Sequence, residues 1–260
     1  MIDGSGTERA RCVLAPNPSP MTLDGTNTWI IAEPGSASVL VVDPGPLDEG
    51  HLSRVAALAE ADGERRVALT VLTHGHPDHS EGAARFAEMT GSPVRALDPV
   101  FRLGSEGLGD GDVLTGAGCE LRVITTPGHS ADSVSLLLSA DGALLTGDTV
   151  LGRGTTVIGT DGSLADYLRS LDALRALSES AGLRVLLPGH GPLLNDPAGV
   201  LDEYIAHRAT RLDEIRAALA AGARTPAEIV AIVYADVDRA VWPAAELSVR
   251  AQLDYLDQTS

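Results

Sequence analysis

The chain has 260 residues, is 44% hydrophobic and 21% charged, and carries a formal net charge of −17, its 19 basic residues all being arginine. Length and composition are ordinary for a soluble globular protein and allow one large domain, or one domain with a small appendage, while so acidic a balance argues against broad nucleic-acid binding. Cys12 and Cys119 stand outside any CxxC spacing, which argues against a disulfide framework or a cysteine-rich zinc site.

Short Val-, Ile- and Leu-rich runs that stop at Gly, Pro or Asp predict strands at 28–33, 38–45, 66–76, 120–129, 133–142, 143–148 and 183–191. Between them, apolar residues at i, i+3 and i+4 predict helices at 48–63, 80–91 and 164–180, with Gly91 suited to a helix C-cap. Strands mixed with helices in this way indicate an α/β domain, assigned here to residues 1–199. The character changes after "NDPAG". Residues 200–260 hold a long amphipathic helix at 200–222, a second at 225–234 with Thr225, Pro226 and Glu228 in a capping-box arrangement, and a third at 245–258. Three such helices resemble a winged-helix appendage. Its six arginines stand against ten carboxylates, a net of −4, which makes a DNA partner a poor expectation. A packing cap, or one face of a homodimer, is the favoured role. No apolar run approaches a membrane span and the opening "MIDGSGTERARCVL" lacks the apolar core of a signal peptide, so no membrane partner and a cytoplasmic location are expected.

Five of the seven histidines lie in turns that follow predicted strands: His74, His76 and His79 in "HGHPDH", His129 in "TPGHS" and His190 in "LPGHG". Asp78 sits inside the first cluster and Asp148 closes "LLTGD". In layered α/β proteins the loops at one sheet edge converge on the functional site, and glycine beside a ligand lets backbone turn sharply. Neutral imidazole and carboxylate are the ligands zinc takes when thiolate is absent. His74 and His76, two apart on an extended turn, can grip one ion, and Asp78 with His79 a second. His129 and His190 would complete one each, and Asp148 can bridge. His51 and His207, on predicted helices, read as ordinary satisfied histidines.

"HGHPDH" followed by "PGHS", "GD" and "PGHG" resembles the ligand signature of the metallo-β-lactamase superfamily over about residues 13–195. The resemblance implies a four-layer αβ/βα sandwich with a dinuclear metal centre between the sheets. It also implies that His74, His76 and His129 bind the first metal, that Asp78, His79 and His190 bind the second, and that Asp148 bridges. Asp43 in "VVDPG" resembles the aspartate that lies behind the ligands in that superfamily and would orient a ligand or the bridging water, although on turn chemistry alone it reads equally as an Asx turn before Pro44. A narrower likeness, in "NPSPMTLDGTNTWII", "GDTVLGRGTTV" and "GPLLNDPAGVLDEYIAHRATR", is to the branch that contains β-lactamase-like protein 2, with a C-terminal winged-helix-like extension. That branch includes animal members similar to single-strand-specific endoribonucleases and fungal thioesterases acting on carrier-bound polyketides.

The expected function is therefore hydrolysis by a metal-bridged hydroxide, with two zinc ions per chain, iron or manganese also fitting the donor set. Asp148 or Asp78 would accept the hydroxide proton, and a metal-bound water or His190 would assist the leaving group. An acyl thioester or related ester, free or on an acyl carrier, is the first substrate class, and single-stranded RNA is the second. A partner-binding module with structural zinc is the non-enzymatic alternative. β-Lactamase activity is disfavoured, because lactamases of this type commonly carry a cysteine where Asp148 stands. Asn27, Arg153, Thr155, Thr156 and Tyr167 are candidate pocket residues.

Overall fold

Two mixed sheets face each other in the computed structural model, which describes residues 2–60, 65–104 and 106–259. The first sheet runs in chain order: β1 (Ala10–Leu14), β2 (Asn27–Ile31), β3 (Ser38–Val42), β4 (Arg66–Val71) and β5 (Val94–Arg95). The second consists of β6 (Val113–Leu114), β7 (Leu121–Thr125), β8 (Val134–Leu138), β9 (Ala143–Gly147), β10 (Val185–Pro188) and β11 (Leu194–Asn195), again neighbour to neighbour. Helices α1 (Glu49–Ala59), α2 (Pro77–Ser80) and α3 (Ala83–Thr90) accompany the first sheet, and α4 (Leu164–Ser180) the second.

The two-residue period of the strands builds the layers. Leu40 and Val42 of β3 join Val71, Leu136, Leu145 and Leu187 in one core between the sheets. Val39 and Val41, pointing the other way, pack with Leu52 and Val55 of α1 and Phe86 of α3. On the second sheet Leu144 and Leu186 turn outward onto Leu171 and Leu174 of α4. Both faces of both sheets are thus largely apolar, which is why these strands read as hydrophobic runs, interrupted at Thr70, Ser135 and Thr146, rather than as alternating ones. Each fully buried aliphatic side chain contributes about 1.5–3 kcal/mol. The result is helix, sheet, sheet, helix, as expected for an αβ/βα sandwich.

Asp196 caps α5 (Pro197–Ala220), accepting from Gly199 N, and α6 (Pro226–Val233) and α7 (Trp242–Thr259) follow. The capping box is present, with Thr225 Oγ1 accepting from Glu228 N and Glu228 accepting from Thr225 N. These helices share one core with α4, in which Ile215, Ile229 and Val249 are buried beside Leu171 and Leu174. The extension therefore folds back on its own chain.

Several elements differ from expectation. β1 lacks a long apolar run, because in "ARCVL" Arg11 is exposed; the pairing Ala10↔Ile31 to Leu14↔Asn27 makes it a strand. β5, β6 and β11 are two-residue strands, too short to leave a periodic signal. The expected helix 80–91 divides at Gly82, whose missing side chain lets the carbonyls of Gly45 and Pro46 approach where a Cβ would lie 2.8 Å from each. Residues 139–141 form a 3₁₀ turn rather than continuing β8. The first predicted helix ends at Ala59, and its expected residues 61–63 lie outside the described residues. Among the described residues no helix is long and apolar enough to cross a membrane.

Candidate metal centre

Strand direction decides where the polar residues meet. β3 with β4, and β9 with β10, pair in parallel, and β7 shares the direction of β9 because both are antiparallel to β8. Every one of these strands therefore delivers the residues after its C-terminal end to the same rim. Asp43 follows β3, Thr73 and His74 follow β4, His129 follows β7, Asp148 follows β9 and His190 follows β10. Helix α2, starting at Pro77, turns Asp78 and His79 toward the same point. Gly189 admits the last loop: a Cβ there would lie 2.4 Å from Asp148 Oδ1 and 2.7 Å from His79 Cε1.

The imidazoles face one another. His76 Nδ1 lies 3.1 Å from His74 Nε2 and 2.9 Å from His129 Nε2. On the other side His79 Nε2 and His190 Nε2 are 3.2 Å apart, and Asp78 Oδ2 is 3.1 Å from His190 Nε2. Asp148 stands between the two groups, with Oδ2 3.2 Å from His190 Nε2 and 3.7 Å from His129 Nε2, and Oδ1 3.4 Å from His79 Nε2. The donor atoms of His74, His76 and His129, of His74, His79 and Asp148, and of Asp78, His79 and His190 form three groups, each within 4.8 Å.

The donor set fits metal ions. Donors about 2.0–2.1 Å from a tetrahedral zinc lie about 3.3 Å from one another, close to the spacing here. Each imidazole is also held from behind, so that its other nitrogen faces inward. His79 Nδ1 meets Asp43 Oδ2 at 2.9 Å, His129 Nδ1 meets Val157 O at 2.8 Å, His190 Nδ1 meets Gly25 O at 3.1 Å and His76 Nε2 meets Asp161 Oδ2 at 2.8 Å. His74 Nδ1 lies 3.1 Å from Thr73 Oγ1. Asp148 Oδ1 is buried and makes no hydrogen bond, an acceptor of the kind a cation satisfies.

Electrostatics point the same way. Burial works against charge on Asp148, but His190 and His79 outweigh it and hold the carboxyl well below its ordinary range. Asp78, against the same penalty, is lowered to about 2 by His79 and His190. His190, despite burial, is raised to about 9 by Asp148 and Asp78, and the carboxylates of Asp148, Asp43 and Asp78 raise His79. Burial, followed by the neighbouring His79, lowers His74. These imidazoles and carboxylates thus favour one another's charged forms, and a metal ion at such donors would compete with protons for them.

Asp43 is buried with a left-handed backbone, φ 51, a conformation uncommon outside glycine and found at functional turns. Its Oδ1 accepts from Thr73 N and its Oδ2 from Thr73 Oγ1, each at 2.7 Å, besides meeting His79. It does more than close a turn before Pro44.

The other sequence candidates separate. Asn27 is buried, and its Nδ2 donates to Pro188 O and Gly191 O, holding the loop that carries His190. Tyr167 is buried and donates to Thr149 O at 2.7 Å, and its Cα and Cβ occupy the space a side chain at Gly128 would need. Arg153 is half-exposed and paired with Asp24. Arg153, Thr155 and Thr156 line a cleft of about 410 Å³ that opens from Asp148 and His129. A second cleft of about 280 Å³ lies over His76, Asp78 and His190, and shares Met21, His129, Asp148 and Val157 with the first.

Asp161 behind His76 carried no sequence signal beyond a loop aspartate. Arg208 and Arg211, in a segment whose net charge is negative, line the larger cleft together with His207. The extension thus brings Arg208 and Arg211 to the cleft, and His207, expected to be satisfied, has a buried Nδ1 without a hydrogen-bond partner. The i, i+1 and i+4 spacing of these three residues on α5 is visible in the sequence, but what those side chains cover is not.

Facing sheets with a His/Asp cluster at the strand ends define a class: metal-dependent hydrolases of the αβ/βα sandwich. The chain belongs to the metallo-β-lactamase superfamily, whose family profile matches residues 21–190 and whose members are typically metal-dependent hydrolases. Residues 225–259 match the beta-lactamase associated winged helix domain. The chain is 33% identical over 254 residues to the beta-lactamase-like protein 2 homolog of Caenorhabditis elegans, covering 94% of this chain and 82% of that one. It is 31% identical over 238 residues to an Aspergillus fumigatus protein named atrochrysone carboxyl ACP thioesterase, covering 85% and 72%. A solved metallo-beta-lactamase family protein from Thermus thermophilus shares the fold at a TM-score of 0.79 and 24% identity, over 96% of this chain and 93% of that one.

Proposed function

We propose that the chain hydrolyses acyl thioesters or related esters with two zinc ions. The observation that carries this reading is the place of Asp148, whose two oxygens reach opposite nitrogen groups, at 3.4 Å to His79 and 3.7 Å to His129. His74, His76 and His129 would hold one ion and Asp78, His79 and His190 the other, with Asp148 shared. Zinc held by these residues would supply a water that ionises near neutral pH and an electrophile for the substrate oxygen. Asp43 fixes the His79 ring and Asp161 the His76 ring.

Asp78 is the better-placed proton acceptor, its side chain 27% exposed against 10% for Asp148. His190, with Nδ1 on Gly25 O, has no free nitrogen once Nε2 holds a metal, which leaves it a ligand rather than an acid for the leaving group. A thiolate, with a parent pKa of about 8.5, departs without a proton donor, so a thioester suits a centre whose imidazoles are all committed. Apolar residues on the cleft wall, among them Met21, Leu23, Leu151 and Val237, suit an acyl chain.

The test is parallel turnover of a short-chain acyl thioester and a fluorescent single-stranded RNA by zinc-loaded wild type and H76A. Thioester hydrolysis that disappears in H76A is expected. RNA cleavage with the same dependence would replace the substrate class, and no turnover of either would overturn both.

A further inference from the structure

We propose that the inner end of the larger cleft is an anion subsite, in which Arg208, flanked by Arg211 and His207, receives a carboxylate or phosphate carried by the substrate. The inference rests on the acyl-hydrolase reading above and narrows it to acyl thioesters that bear an anionic group away from the scissile bond.

Arg208 carries the inference. It is 3% exposed, yet no carboxylate of the described residues pairs with it, whereas Arg153 is paired with Asp24 and Arg211 with Glu214. A buried guanidinium without a counter-charge is costly unless something compensates it. Within the chain it meets one carbonyl, Thr156 O at 2.6 Å from Nη2, and Tyr167, whose ring lies 4.9 Å from its Cζ and whose hydroxyl accepts a hydrogen bond from the guanidinium. Its Nε is buried with no hydrogen-bond partner, as is Nδ1 of the adjoining His207. Orphaned donors are rare in folded proteins and mark where a partner is missing.

Position makes the anion part of the substrate. Thr156 links the subsite to the centre, its carbonyl accepting from Arg208 while its Oγ1 lies 3.1 Å from His129 Nδ1. Arg153, Arg208 and Arg211 line the cleft, and Asp148, at the metal end, is the carboxylate among its lining residues. The cleft is therefore polarised, cationic inside and lined with apolar groups between. With Arg153 and Arg211 paired to Asp24 and Glu214, Arg208 is the cleft guanidinium without a carboxylate partner among the described residues, a local positive charge in a protein of net charge −17, which lets an acidic protein select an anion without attracting polyanions over its whole surface. A planar guanidinium takes either a carboxylate or a phosphate in a two-point contact. The first would come from a dicarboxylic acyl chain, the second from a phosphate on the thiol arm.

The test is calorimetric titration of the metal-loaded full-length protein with glutarate and with pantetheine 4′-phosphate, in wild type, R208M and R208K. Binding weakened about tenfold or more in R208M, and less in R208K, at unchanged metal content is expected, and the ligand that loses affinity names the source of the anion. Affinity unchanged in R208M, or no binding of either ligand to wild type, overturns the subsite. If R208M does not fold, R211Q reads the same affinity with an expected loss of about threefold to tenfold, and an unchanged affinity there overturns it equally. A second measurement compares kcat/KM for glutaryl and valeryl thioesters of one thiol and of its phosphorylated form. Anion binding that depends on Arg208 without any thioester turnover sinks the hydrolase reading and keeps the subsite. Efficient turnover indifferent to both charges sinks the subsite and keeps the hydrolase.

Discussion

At the sheet edge, five imidazoles and two carboxylates face one another, and every charge has its counter-charge a few ångströms away. On the helical extension, Arg208 is 3% exposed, more deeply buried than His76 or Asp78, and it lines the larger cleft with a carbonyl and Tyr167 for company. The first region is organised to hold ions between protein groups. The second leaves a cation for something outside the chain. The difference lies in what backs each group: the ligands are braced by Asp43, Asp161, Val157 and Gly25, while Arg208 is braced on one edge and open on the other. On the proposed reading, the centre would perform chemistry that many substrates share and the extension would choose among them.

The strongest way to break that division is D78A, which removes an oxygen from one ion's ligand group. Metal content should fall from two ions to one per chain by elemental analysis, and kcat should drop about a thousandfold, the several kcal/mol a metal ion contributes. Full activity with one ion would leave the second group without a catalytic purpose. D43N tests the brace behind His79, and an approximately 10–100-fold loss of metal affinity, by competition with a chromogenic chelator, is expected with the fold retained. An unchanged affinity would make Asp43 a turn residue only.

His51 lies outside both regions and serves as a control on acid stability. It is buried with Nε2 2.9 Å from Thr28 Oγ1, and burial lowers its pKa to about 4 from 6.5. Below pH 6.5 the unfolded chain binds a proton that the folded chain refuses until about pH 4. Its contribution is therefore complete above 6.5 and lost across that window, on the order of 2–3 kcal/mol. Urea midpoints at pH 7.5 and 5 should draw together in H51Q relative to wild type; equal slopes in the two proteins would refute the assignment.

Smaller effects belong to the extension. Tyr204 of α5 accepts from Leu151 N and donates to Gly154 O, each at 2.9 Å, tying the cleft loop to the helix. Y204F should cost about 1–3 kcal/mol of stability and raise KM without changing metal content; a lost ion instead would show that the two regions are not separable. T225A, which removes the cap of α6, should lower stability by about 1 kcal/mol and leave turnover at the centre intact, measured by thermal melting beside a saturating-substrate assay.

Much of the centre is legible because its signal is local. "HGHPDH" packs ligands into one turn, and each later ligand directly follows an apolar run that ends in glycine, so strand and site are written side by side. The layers are legible for a related reason: residues buried on both faces of a sheet are mostly apolar, and β3, β4, β8, β9 and β10 read so, with buried Thr70, Ser135 and Thr146 hydrogen-bonded to Ser92, Thr126 and Val150 O. The short strands escaped because two residues carry no period, and β1 because its partner across the sheet, not its own composition, makes it a strand. Asp161 and Arg208 acquire their meaning from contacts with His76 and Thr156, 85 and 52 residues away. The amino-acid sequence by itself determined which atoms can hold a metal, since ligand chemistry belongs to the residue. Only the tertiary structure decided what stands behind those ligands and what lines the path to them, because burial and the absence of a counter-charge are properties of the packed chain.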